Sequence, residues 1–131
     1  MTKEELLTRY AAGERDFSGA DLAKVDLSSA HLSRVVLIGA NLSGADLSRA
    51  DLSGADLSGA NMDHANMSFA FLAFSRLIDA NLSYANLFCA DLSNAILNHA
   101  NLSGADLSGA NLTGVNLTTA RAKIDGARGL H

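Results

Sequence analysis

The stretch Asn41 to Asn61, NLSGADLSRADLSGADLSGAN, repeats every five residues, a period that belongs to neither helix nor strand. With the register set on the leucines, the positions Phe17, Leu22, Leu27 and onward to Leu117 are Leu, Met or Phe at all 21 steps. From Ala20 to Val115 the residue two before each centre is Ala, with Val25, Val35, Ser75 and Val115 as exceptions. Leucine at every fifth position of an α-helix would advance about 140° per step and spiral over the whole surface without forming an apolar stripe. In extended chain, residues two apart share a side, so Ala20 and Leu22 point one way and Asp21 the other. The next such pair starts three residues later, and a straight strand would turn it outward, so the backbone must bend within each quintet.

Two residues in every five therefore face an interior and three face out, and the chain winds about an axis. Its amides are satisfied only if successive coils pair as parallel strands do, about 4.8 Å apart. By this register Ala80 and Leu82 face in, whereas Asn81 faces out, and Asn81→Ser should be nearly silent because it keeps a turn-compatible polar group. The departures from the pattern indicate the number of sides. The residue before the centre is Asp or Asn in 16 of the 21 quintets, and the exceptions are His31, Val36, Phe71, Arg76 and Ile96. On a four-sided coil of 20 residues Val36, Arg76 and Ile96 share one face, with His31 and Phe71 on its neighbour. On a three-sided coil of 15 they scatter over every face.

The unit A-(D/N)-L-S-G, seen cleanly at Ala55 to Gly59 and Ala105 to Gly109, resembles the pentapeptide-repeat family over about residues 15–120. The resemblance implies an all-β solenoid, a right-handed quadrilateral parallel β-helix, in agreement with the four-face argument. About five coils would make a rod roughly 25 Å long. The 131 residues read as a single domain. Both ends of an open solenoid need covering. Thr2 to Glu5 forms a capping-box pattern, Leu6, Leu7 and Tyr10 fall on one helical face, and Gly13 can stop the helix, so residues 2–12 read as an N-terminal capping helix. Residues 121–131 break register and offer only Ile124 and Leu130 as large apolar side chains. They read as a cap or tail, with that end completed by a second copy of the chain.

A net charge of −4 disfavours direct contact with nucleic acid or an anionic membrane, both of which need clustered positive charge. The polar start suggests no signal peptide, and the lone Cys89 fits a reducing compartment, so the cytoplasm is expected. The periodic Asp and Asn residues read as outer-surface and turn residues, mixed so that only Asp26 and Asp46 stack carboxylate on carboxylate. His31, His64, His99, His131 and Cys89 do not converge in this register. No catalytic, cofactor-binding or metal site is expected, and the reading is not an enzyme. Ser75, the polar residue at an inward position, should bond a nearby backbone group.

The informative residues are apolar ones at outward positions. Phe69, Phe71, Phe74 and Phe88 occupy two adjacent coils with Tyr84 close by, while Val36, Ile38, Ile78 and Ile96 lie outward on another face. Exposed apolar surface on this scale marks a protein contact or a stacking ladder that reinforces the coil. The first reading gives a repeat scaffold whose aromatic cluster meets an unidentified protein partner. The resemblance supplies an alternative, because some members of the family are acidic DNA mimics that bind type II topoisomerases such as DNA gyrase. Such a mimic needs a dense acidic stripe, which Lys24, Arg34, Arg49 and Arg76 interrupt here.

Overall fold

The computed structural model describes residues 1–117 and 124–130. Parallel bridges join each residue before a centre to its equivalent twenty positions on, without a gap from Asp16 with Val36 to Asp91 with Asn111. Four quintets thus complete one coil. The leucine, methionine and alanine rungs from Leu27 to Leu107 form one continuous buried core, with the two inward side chains of each quintet stacked on those of the next coil.

One quintet shows where every amide goes. Asn81 donates back to the Ala60 carbonyl at 2.9 Å, Leu82 forward to Asn101 at 2.7 Å and Tyr84 forward to Ser103 at 2.9 Å. Ala85 closes a turn on the Leu82 carbonyl at 3.1 Å. The fifth amide, that of Ser83, cannot reach a neighbouring coil and instead donates to the Asn81 side-chain oxygen at 3.0 Å. Every Asp or Asn at this position from Asp16 to Asn111 accepts the amide two residues on in the same way. The acidic and amide side chains in the repeat are there because a coil with four tight corners leaves one donor per corner unbonded.

Each corner is a four-residue turn whose third residue lies at positive φ while its second does not, which is the type II turn. Glycine fits that third position without strain, as at Gly54 and Gly59 with φ of 68°. Where another residue stands there, its side chain leans over the corner of the following coil. Tyr84 covers Gly104, where an added Cβ would lie 2.5 Å from the Tyr84 ring.

At the N-terminal end, helix α1 (Lys3–Ala11) starts on Thr2, whose hydroxyl accepts from the Glu5 amide at 3.1 Å. It ends with Gly13 at φ 102°, Gly13 donating to Tyr10 and Glu14 to Arg9, the paired bonds of a Schellman motif. Leu6 is fully buried in the solenoid core, and the Tyr10 hydroxyl donates to the Ser33 carbonyl at 2.7 Å.

One expectation needs correction. Ser75 faces inward and is fully buried, but its hydroxyl finds no partner, because the carbonyls of a complete ladder already point along the axis to their own amides. Residues 124–130 lie on the solenoid as a further partial coil, with the register shifted by two residues. Ile124 and Ala127 close another corner through Gly126, Gly104 donates to Asp125, and Asp106 bridges Arg128. Residues 121–123 and 131 of the expected tail, and 118–120 of the expected solenoid, lie outside the described residues.

These contacts grade the outcome of substitution along one face. Ala80→Leu should destabilise by at least about 1–3 kcal/mol through overpacking and Leu82→Ala by about 2–5 kcal/mol. Asn81 is half-buried and its side-chain oxygen accepts the Ser83 amide, so Asn81→Ser should be nearly silent only to the extent that the shorter hydroxyl takes over that bond. Asn101→Ala, which removes the equivalent acceptor for Ser103, should cost about 0.5–1.5 kcal/mol, and Asn101→Asp clearly less. Ser75→Ala should raise stability by about 1 kcal/mol, since it removes an unsatisfied buried hydroxyl. Thermal and denaturant unfolding measure all of these; a stability loss on Ser75→Ala, or equal losses for Ala80→Leu and Asn101→Asp, would contradict the register.

Candidate protein-contact surface

The five aromatic residues singled out in the sequence are all solvent-exposed, with Phe69 at 40%, Phe71 at 50%, Phe74 at 66%, Tyr84 at 61% and Phe88 at 41%. They do not form one stack. Phe69 and Phe88 meet edge to face at 5.7 Å between centroids, and the Arg49 guanidinium lies 4.7 Å over the Phe69 ring. Tyr84 stacks instead on His64 at 5.0 Å, on the neighbouring corner. Phe71 and Phe74 make no ring contact among the described residues, so their faces are free. Ring stacking between coils therefore exists for Phe69 with Phe88 and for Tyr84 with His64, and among the described residues Phe71 and Phe74 take no part in such a pair.

The backbone beneath these residues is unusual. Eight consecutive corners, His64, Phe69, Phe74, Asp79, Tyr84, Cys89, Asn94 and His99, lack glycine although each sits at φ between 55° and 61°. Asp and Asn accept that conformation readily, but a bulky side chain there costs about 1 kcal/mol or more. The corners on either side, Gly54 with Gly59 and Gly104 with Gly109, keep the relaxed residue. Phe71 carries a second cost. It replaces the Asp or Asn that would bond the amide two residues on, and the Ala73 amide has no acceptor among the described residues. The same omission at Val36, Arg76 and Ile96 removes that acceptor from three turns of the adjacent face, where Asp16 and Asp56 keep it. There Ile38 and Ile96 are exposed and Ile78 is half-buried.

The sequence reading missed His64 and Arg49. Both are visible in hindsight as the residues twenty positions from an aromatic corner. On the His64 corner, Asp63 accepts from the His64 ring at 2.9 Å and from the Ser83 hydroxyl at 2.9 Å, and these two bonds hold its carboxyl below the usual carboxylate range. Asp16, Asp26 and Asp106 are likewise lowered, first by the hydroxyls of Ser18, Ser28 and Ser108. Among the described residues no three His, Cys, Asp or Glu side chains converge as metal ligands.

A coil of twenty residues, a leucine and alanine interior and a type II turn at each corner, Asx-bonded wherever Asp or Asn precedes the centre, together define a four-sided β-solenoid. Residues 16–54, 55–88 and 85–121 match the model for pentapeptide repeats, in eight copies, and the chain belongs to the pentapeptide-repeat family, whose structures are right-handed quadrilateral β-helices. A pentapeptide repeat protein from the thylakoid lumen of Arabidopsis thaliana is similar at 30% identity and a TM-score of 0.73, over 81% of this chain and 82% of that one. One from Nostoc is similar at 35% identity and a TM-score of 0.68, over 93% and 94%. No curated protein matches the chain.

The lowered carboxylates set an acid limit. A depressed folded value contributes stability that is complete above the unfolded carboxylate value of about 4 and disappears as pH falls through the lower folded one. The melting temperature should fall below about pH 4. Asp26→Asn keeps the acceptor for Ser28 without ionising, so its acid-side decline should be shallower than that of the wild type. Superimposable pH profiles for the two proteins would remove the ionised Asp26 bond from the account.

Proposed function

We propose that this chain is a non-enzymatic scaffold of about five coils, covered by α1 at one end, that offers the surface of Phe69, Phe71, Phe74, Tyr84 and Phe88 to a partner protein. The observation that carries this reading is the run of eight non-glycine corners from His64 to His99, in which Phe69, Phe74, Tyr84 and Cys89 hold the positive φ at a cost. Strain and a forfeited hydrogen bond are retained where a surface is used. Nothing in the packing of the coil requires Phe71 or Phe74, and their exposure is the kind that marks contacts. The concavities are open surface grooves, and the interior is filled by leucine, methionine and alanine, which argues against a substrate pocket.

A second copy of the chain at the C-terminal end belongs to the same proposal. There Leu112 and Leu117 are only partly buried, unlike the equivalent leucines of the inner coils, and they line an apolar groove with Val115, Ile124 and Leu130. A cytoplasmic location is proposed on the single free Cys89, although one relative comes from the thylakoid lumen. No helix among the described residues is long and apolar enough to cross a membrane.

The gyrase-directed alternative needs aligned carboxylates along one face, and the columns do not provide them. Asp21 is followed by Asn41, Asn61, Asn81 and Asn101, and Asp56 meets Arg76 at 3.6 Å. Inhibition of gyrase supercoiling at stoichiometric amounts would favour that alternative over the scaffold reading. The direct test is a pull-down with wild type and a Phe71→Ser, Phe88→Ser double variant. The variant should keep its melting temperature within a few degrees, because both side chains are outward, and should lose the wild type's partner. A variant that unfolds, or one that retains every partner, would refute the contact surface.

A further inference from the structure

The corner that carries Phe74 continues toward α1 as an open groove of about 590 Å³, lined by Tyr10, Arg15, Ser33, Arg34, Ser53, Gly54, Ala73 and Phe74. It has two guanidinium groups and no carboxylate, on a chain whose net charge is −4. Carboxylates on the same rungs and beside Arg15 are engaged: Asp51 accepts the Ser53 amide at 3.0 Å, Asp56 pairs with Arg76, and Glu14 pairs with Arg9. The Arg34 amide donates to the Ser53 carbonyl at 2.9 Å, but its guanidinium has no hydrogen-bond or ion-pair partner among the described residues, and its stem lies over Gly54, 3.4 Å from where a Cβ would be. The Arg34 stem therefore packs across the Gly54 corner at van der Waals distance, on the wall of the groove. Arg15 is fixed in place, its guanidinium 3.7 Å over the Tyr10 ring and donating to the Tyr10 and Glu14 carbonyls at 2.9 Å. Tyr10 is in turn held by its bond to Ser33.

A fixed arginine, an unpaired arginine and an exposed phenyl ring in one groove form a cationic site beside an apolar one. We propose that this groove binds a short acidic segment of a partner protein, its carboxylates on Arg34 and Arg15 and an apolar side chain against Phe74. Arginine suits carboxylates because its planar fork donates two parallel bonds. From Arg34 to Phe74 the groove spans two coil spacings, roughly 10 Å, which three or four extended residues cover. A long polyanion is excluded by the surrounding charge, since two cations cannot offset the repulsion of the remaining acidic columns. The proposal deepens the scaffold reading and rests on it, with Phe74 common to both.

The test uses the full chain, nitrogen-15 labelled, titrated with a peptide of four glutamates about a central phenylalanine and with its lysine counterpart. The glutamate peptide should shift the amides of Arg34, Ser53, Gly54 and Phe74, weaken with added salt, and bind at least about tenfold less tightly to Arg34→Glu. Arg34→Gln, which keeps the stem and loses the charge, should also weaken binding, and both variants should melt as the wild type does because Arg34 is exposed. Phe88→Ser, outside the groove, should bind normally. Equal shifts from both peptides, no saturable shift with glutamate, or unchanged affinity in Arg34→Glu would each overturn the proposal. Loss of the pull-down partner in the Phe71→Ser, Phe88→Ser variant alongside its retention in Arg34→Glu would leave the scaffold reading standing and remove the groove from it.

Discussion

The fold depends on satisfying five backbone amides per quintet while the chain turns a corner every five residues. Three amides bond to neighbouring coils, one closes the turn, and the last has only the Asp or Asn side chain to reach. The rest follows from that distribution. The twenty-residue bridge sets the coil, the coil stacks leucine on leucine and alanine on alanine, and the interior closes without room for anything else. Burying each leucine contributes on the order of 1.5–3 kcal/mol, opposed by ordering entropy of similar size, so stability resides in the unbroken ladder and not in any one rung.

The same distribution explains why function in such a chain is confined to the outside and to particular positions there. Inward positions are committed to packing, and the position before the centre is committed to the turn acceptor. Only the two residues after the centre are free, and the corner residue among them must accept positive φ. A chain that places Phe69, Phe74, Tyr84 and Cys89 at corners gives up the most relaxed residue available there, and Phe71 gives up a hydrogen bond besides. The costs gather in the middle coils and on adjoining faces, where the rings are exposed and where the groove below Tyr10 and Arg15 begins.

Much of this was legible in the sequence because the relevant physics is periodic. The leucine and alanine register gave inside and outside, and the five exceptions at His31, Val36, Phe71, Arg76 and Ile96 gave four sides. Helix α1 was legible from Thr2, Glu5 and Gly13, since capping is local chemistry. What escaped depended on contacts between coils or on backbone torsions. The stacking of His64 on Tyr84 and of Arg49 on Phe69 needs the twenty-residue offset and the lean of corner side chains toward the following coil. The unpartnered Ser75 hydroxyl needs the knowledge that every nearby carbonyl is already taken. The two-residue shift that returns Arg128 to Asp106 has no signal in the repeat, because it occurs where the repeat has ended.

The central claim is that each central residue from Phe17 to Leu92 donates to the carbonyl nineteen positions ahead. At 13.6 kDa the chain is small enough for scalar couplings across hydrogen bonds to be measured directly by nuclear magnetic resonance. The account predicts correlations from the amide nitrogens of Leu42, Leu47, Met62 and Leu82 to the carbonyl carbons of Asn61, Asn66, Asn81 and Asn101 respectively, within a set of slowly exchanging amides. Correlations to carbonyls fourteen positions ahead, as a three-sided coil would give, or rapid exchange at these leucine and methionine amides, would contradict it.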